Sequence, residues 1–152
     1  MTDPLPPPET ASPAPLLSVV VPVRNEVGNV GPLVADIEAA CRGIAAFEVI
    51  YVNDGSTDGT AAALAALAAQ RPWLRIVSHA QSCGQSAAVR SGVRHARAPI
   101  VATLDGDGQN DPAFLPAMLA ALQQAGLQAG LVQGQRVGRK DTGFKKLQSR
   151  IA

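Results

Sequence analysis

The chain has 152 residues, 47% hydrophobic and 3% aromatic, with a formal net charge of +1. That length suits one domain with a real core. Two distant cysteines, Cys41 and Cys83, exclude a disulfide framework, and no apolar run reaches the roughly 18–20 residues that cross a bilayer. No signal-peptide pattern opens the sequence, so a cytoplasmic protein is expected.

Residues 1–15 hold six prolines and no apolar periodicity, which predicts a flexible tail. Leu16 to Val23 is an apolar, β-branched run and reads as a buried strand, with Pro22 marking where pairing stops. Val30, Leu33, Val34, Ile37 and Cys41 recur at helical spacing, so a helix is expected from Asn29 to about Arg42, with Cys41 in the core and Gly43 as the stop. Phe47 to Val52 is a second strand. It runs into Asn53-Asp54-Gly55-Ser56-Thr57-Asp58, where Ser56 or Asp58 suits an N-cap. An Ala/Leu helix follows to about Gln70, then a short strand, Leu74 to Ser78. A third helix spans Gly84 to about Ala96, and a fourth strand Ile100 to Leu104. The fourth helix runs from Pro112 to Gly126 with Phe114, Leu115, Met118, Leu119 and Leu122 inward. Ala129 to Gln133 is a weak fifth strand, Gly134 to Thr142 a basic loop, and Phe144 to Ala152 the start of another helix.

Strand and helix alternate four times, which predicts a parallel sheet covered by helices on both faces. Ligands bind such sheets beyond the carboxyl ends of the strands. Three polar clusters fall on that edge: Arg24-Asn25-Glu26, Asn53 to Ser56, and Asp105 to Asp111. The last holds three carboxylates in seven residues. They repel one another, and a divalent cation with a preference for oxygen ligands relieves the repulsion. An EF-hand loop starting at Asp105 requires Gly sixth and Glu twelfth; Asn110 and Pro116 stand there. Asp111 before Pro112 reads as a helix N-cap. His79 and His95 lack metal-ligand spacing and are expected at the surface or at helix ends. Neither a Gly-x-Gly-x-x-Gly nor a Walker A pattern occurs, which disfavours a dehydrogenase or a P-loop enzyme.

Six of the thirteen basic residues, Arg136, Arg139, Lys140, Lys145, Lys146 and Arg150, lie in the last seventeen positions. Residues 1–135 hold seven basic and eleven acidic residues, a formal −4. Phe144 is the only aromatic near this basic stretch, so no nucleic-acid partner is expected and phosphate binding explains the cluster better.

The segments VVVPVRNE, VNDGSTDGT, LDGDGQNDP and GQRVGRKDTGFKKLQSR, in this order, resemble the family 2 glycosyltransferases of the GT-A fold. The likeness is to the dolichyl-phosphate mannosyltransferase-like and bacterial polyprenyl-phosphate branch. It covers about residues 16–152, which makes that stretch the expected GT-A domain. The resemblance implies a Rossmann-like, mostly parallel sheet and a metal-dependent, inverting transfer. The sugar would pass from a UDP- or GDP-sugar to a dolichyl or undecaprenyl phosphate. It implies that Pro22, Arg24, Glu26, Val52, Asp54, Asp105, Gly106 and Ser149 serve donor binding, with Asp54 reading base and ribose. Asp105, Asp107 and Gln109 would hold Mg²⁺ or Mn²⁺, and Asp107, Arg136 and Lys145 would act in catalysis. Gln81-Ser82-Cys83-Gly84 departs from the family's more usual Arg-Asn-x-Gly, and no role is inferred for it. The acceptor implies a location at the inner membrane face or beside a membrane subunit. Such catalytic domains continue past the basic stretch, so a domain incomplete at its C-terminus is expected. Two alternatives follow: a catalytically incomplete fragment that binds nucleotide, and a family 2 enzyme with a hydroxyl acceptor in polysaccharide synthesis.

Overall fold

Runs of Val, Ile and Leu that are apolar at every position can be buried on both faces, and this decides the architecture. The computed structural model describes residues 14–126 and 130–134. Contacts divide the chain into two units, 1–116 and 117–152. The elements are β1 (Leu17–Val23), α1 (Val27–Cys41), β2 (Phe47–Asp54), α2 (Thr60–Ala68), β3 (Leu74–His79), α3 (Gln85–His95) and β4 (Ile100–Thr103). A 3₁₀ turn, Pro112–Phe114, leads into α4 (Leu115–Ala125). Most of α4 belongs to the second unit.

The sheet order is β3-β2-β1-β4, and every pairing is parallel. The chain moves outward from β1 to β3, then returns to the other side of β1 as β4. That reversal opens a crevice between the carboxyl ends of β1 and β4. Both faces of β1 and β2 are covered. Val19, Val21, Val23, Val49 and Tyr51 pack with Val30, Leu33, Val34 and Ile37 of α1 and Leu64 of α2. Val20, Ile50 and Val52 pack with Ala88 of α3 on the other face. Each fully buried Val, Leu or Ile side chain contributes about 1.5–3 kcal/mol, so these two layers hold the crevice walls in place. Cys41 lies in the first layer, where burial pushes its thiol up to about 11.

At the opposite end of the sheet Glu48 is buried. It accepts hydrogen bonds from the Ser18 hydroxyl and the Arg97 N–H, both at 2.7 Å, and from Arg75 at 2.8 Å. Burial alone would raise its carboxyl; these donors outweigh that and lower it.

Several expectations need correction. Pairing does not stop at Pro22, which is in register with Val52. It stops on the β4 side, after Thr103 and the Leu104 N–H bonded to the Val20 carbonyl. Pro22, two residues on, turns its missing N–H to that same side, where no strand remains. Gly130 to Gln133 form no strand, and Leu131 is 78% exposed; so short a run, opened by a glycine, buries too little to hold an edge. Phe114 is exposed because the 3₁₀ turn breaks the helical spacing that would have turned it inward. The expected flexible tail over residues 1–13, the expected basic loop from residue 135 and the expected terminal helix lie outside the described residues.

Candidate active site

The loop after β1 is locked to the loop after β2. The Asn25 N–H donates to the Ser56 hydroxyl at 3.0 Å, and the Thr57 N–H donates to Asn25 Oδ1 at 2.8 Å. The Glu26 N–H donates to the Thr60 hydroxyl at 2.9 Å. Asp58 accepts from the Val27 N–H at 3.3 Å and the Thr60 N–H at 2.9 Å, so one carboxylate serves the first turns of both α1 and α2. The Thr60 hydroxyl, then the Thr60 and Val27 N–H groups, hold the Asp58 carboxyl below its usual range. Ser56 caps neither helix with its side chain.

Asp54 ends β2 beside its register partner His79 on β3. Its carboxylate is 4% exposed and accepts four hydrogen bonds. His79 Nδ1 and the Cys83 N–H reach Oδ1 at 2.7 and 2.8 Å. The Ser82 hydroxyl and the Gly84 N–H reach Oδ2 at 2.8 and 2.9 Å. An ionised carboxylate only accepts, so Nδ1 donates, and in the neutral ring Nε2 accepts from the Ser91 hydroxyl at 2.9 Å. Burial alone would raise the Asp54 carboxyl. The donors, led by the Cys83 N–H and His79, overcome this and hold it well below the usual carboxylate range. Gly55 makes the arrangement possible: its φ is +63°, and a Cβ there would lie 2.6 Å from the Gln81 carbonyl carbon. Ligand atoms of Asp54, His79 and Cys83 lie within 4.8 Å of one another. The Asp54 oxygens and both His79 nitrogens already have partners, which makes this a hydrogen-bonded anchor.

The acidic loop is handled differently. Gly106 presses it against the end of β1; a Cβ there would overlap the Val23 side chain and lie 2.6 Å from the Pro22 carbonyl. Asp105 is half-buried, with Oδ1 accepting from Gln85 Nε2 at 2.7 Å and Oδ2 from Asn110 Nδ2 at 3.1 Å. Asp107 is exposed and accepts from the Gln109 N–H at 3.0 Å. Asp111 accepts from the Ala113 N–H at 2.9 Å, the expected cap before Pro112.

Pro22, Arg24, Glu26, Asp54, Asp105, Gly106 and Asp107 therefore line one cleft of about 350 Å³. Gln109 instead lines a groove of about 740 Å³ on the α1 side, which shares Asp107 with the cleft. Val52 is a correction: its side chain is fully buried against Val20, Ile50 and Ala88 and does not line the cleft. Arg136, Lys145 and Ser149 lie outside the described residues. His79 is corrected from a surface residue to an anchor of Asp54, whereas His95 ends α3, as expected. Ser82, Gly84 and Gln85, which sequence reasoning left without a role, form one wall. Their position just beyond the carboxyl end of β3 was the available signal.

A parallel sheet with a polar crevice at the β1/β4 reversal, lined by a half-buried Asp105 and an exposed Asp107, is the arrangement of the GT-A fold. The glycosyl transferase family 2 model matches residues 18–151, and the chain belongs to that family. It is 45% identical over 98 residues to a dodecaprenyl-phosphate galacturonate synthase of Rhizobium johnstonii, covering 63% of this chain and 29% of that protein. It is 37% identical over 142 residues to an undecaprenyl-phosphate 4-deoxy-4-formamido-L-arabinose transferase of Pseudomonas paraeruginosa, covering 91% and 41%. Among solved structures it is similar to the mannosyltransferase PcManGT of Pyrobaculum calidifontis in complex with GDP-Man and Mn²⁺. The TM-score is 0.57 and the identity 30%, over 62% of this chain and 28% of the other. The chain thus spans well under half the length of these relatives. No helix among the described residues is long and apolar enough to cross a membrane.

Proposed function

We infer that this chain carries the donor site of a metal-dependent, inverting transferase that moves a sugar from a UDP- or GDP-sugar to a polyprenyl phosphate. One observation carries the reading: an exposed Asp107 beside an oriented Asp105, in the same cleft as Arg24 and Glu26. The donor set fits a hard cation, since it consists of carboxylate oxygens on a loop drawn tight by Gly106. Asp105 and Asp107 would hold Mg²⁺ or Mn²⁺, with Gln109 adjoining. When bound, the cation supplies Lewis-acid charge that offsets the leaving nucleoside diphosphate.

The protein's own groups do the rest. Arg24 offers a guanidinium at the cleft rim, able to stack on a base or pair with phosphate. Asp54 holds residues 82–84 as a rigid wall for the nucleotide. By the family resemblance, Arg136 and Lys145 would add positive charge toward the diphosphate and acceptor phosphate, and Ser149 would serve the same groups. The acceptor phosphate is already an anion, so it attacks without a general base, and one displacement inverts the anomeric centre. A lipid acceptor takes the enzyme to the cytoplasmic face of a membrane or to a membrane subunit, where the basic stretch meets anionic headgroups. The relatives named for dodecaprenyl and undecaprenyl phosphate support this acceptor.

The test incubates the chain with radiolabelled UDP- and GDP-sugars, Mn²⁺ and a polyprenyl phosphate in detergent. Label is expected in the organic phase, and EDTA is expected to remove it. Donor binding without lipid labelling would overturn the transfer reading.

A further inference from the structure

We propose that Gln85 is a positioning residue that sets the Asp105 carboxylate for its cation. The proposal rests on the reading of Asp105 and Asp107 as metal-side groups. Gln85 is the first residue of α3, and its amide donates to Asp105 Oδ1 at 2.7 Å. Asn110 holds the other oxygen at 3.1 Å. Both donors are neutral, so they fix the carboxylate's direction and leave its negative charge for a cation. An Arg or Lys there would hold Asp105 but cancel that charge.

The support behind Gln85 is unusually rigid for an exposed side chain. The three residues before it, Ser82, Cys83 and Gly84, all donate to Asp54. Further along the same helix, Ser91 is tied to His79, which is itself tied to Asp54. The start of α3 is therefore pinned on both sides of Gln85. Ordering a free Gln side chain costs rotamer entropy, and a mobile backbone would add its own conformational entropy to that cost. The anchor removes the second cost. Asp54 thus acts on Asp105 at a distance, through residues 82–85. The two acidic positions, both lining the cleft, are mechanically one unit.

The experiment measures UDP and GDP binding to the full chain by calorimetry while MnCl₂ is varied. Its readout is the Mn²⁺ concentration that gives half-maximal nucleotide binding. Gln85→Leu and Gln85→Ala are expected to raise it about tenfold, with melting midpoints within about 2 °C of the parent, since the position is exposed. Ser86→Ala, on the same exposed turn, is expected to leave it unchanged. If both Gln85 variants stay within about twofold while Asp107→Ala abolishes the Mn²⁺ dependence, Gln85 has no positioning role and the metal reading stands. If the parent chain shows no Mn²⁺ dependence, the metal reading fails and the proposal fails with it.

Discussion

Asp54 and Asp107 stand on the same edge of one sheet, and the protein treats them in opposite ways. Asp54 is 4% exposed and accepts four hydrogen bonds from its own chain. Asp107 is exposed and accepts one, from the Gln109 N–H. A buried carboxylate with every oxygen engaged builds the wall of a site. An exposed carboxylate on a glycine-tightened loop has lone pairs left for a ligand. Acidity and position at the strand ends are common to both; burial and hydrogen bonding separate them. Asp105, half-buried and held by two neutral amides, lies between the extremes.

The contrast breaks most sharply at Asp107. Asp107→Ala is expected to weaken Mn²⁺-dependent nucleotide binding by at least ~100-fold, with a melting change under about 2 °C. Calorimetry and a thermal melt on one preparation measure both. Asp54→Ala is expected to do the reverse. It leaves the donors on His79, Ser82, Cys83 and Gly84 without their shared acceptor, and stability should fall by about 3 kcal/mol. That corresponds to roughly 6–12 °C in the melting midpoint. If the two variants lose similar stability, the division of labour between the carboxylates is wrong.

Gly106→Ala should combine the two effects. The added methyl overlaps Val23 and crowds the Pro22 carbonyl, so the loop must lift, at a cost of about 1–3 kcal/mol. The required Mn²⁺ concentration should rise as Asp105 leaves Gln85. The smallest effect is that of acid. Asp54 and Glu48 both titrate below their unfolded values of about 3.9 and 4.3 in the folded protein. The unfolded chain therefore takes up protons first as pH falls. The stability these groups provide is complete above about pH 5 and declines as pH drops below about 4 toward their folded values. Urea midpoints between pH 6 and pH 3 should show that decline, less steeply in Asp54→Ala.

The strand–helix alternation was legible because apolar runs and 3.6-residue spacing are local, and β1 to β4 lie where those patterns put them. The acidic loop was legible because three carboxylates and two glycines in one turn are conspicuous. The wall at 82–84 was not, because it works largely through backbone N–H groups, which no side-chain pattern advertises. His79 was misread for a related reason: its role depends on β2/β3 register, which sets it beside a residue 25 positions away. Val52 shows the limit of carrying over a motif, since its place in the buried strand turns its side chain toward Ala88. The fifth strand failed because five weakly apolar residues say nothing of a partner strand.

The proposed donor site requires that Asp105 and Asp107 join a divalent cation to a nucleoside diphosphate. Calorimetric titration of UDP and GDP into the chain, once with Mn²⁺ and once with EDTA, tests it most directly. One of the two nucleotides should bind with Mn²⁺ and lose at least ~100-fold in affinity with EDTA. Equal binding under both conditions would contradict the account.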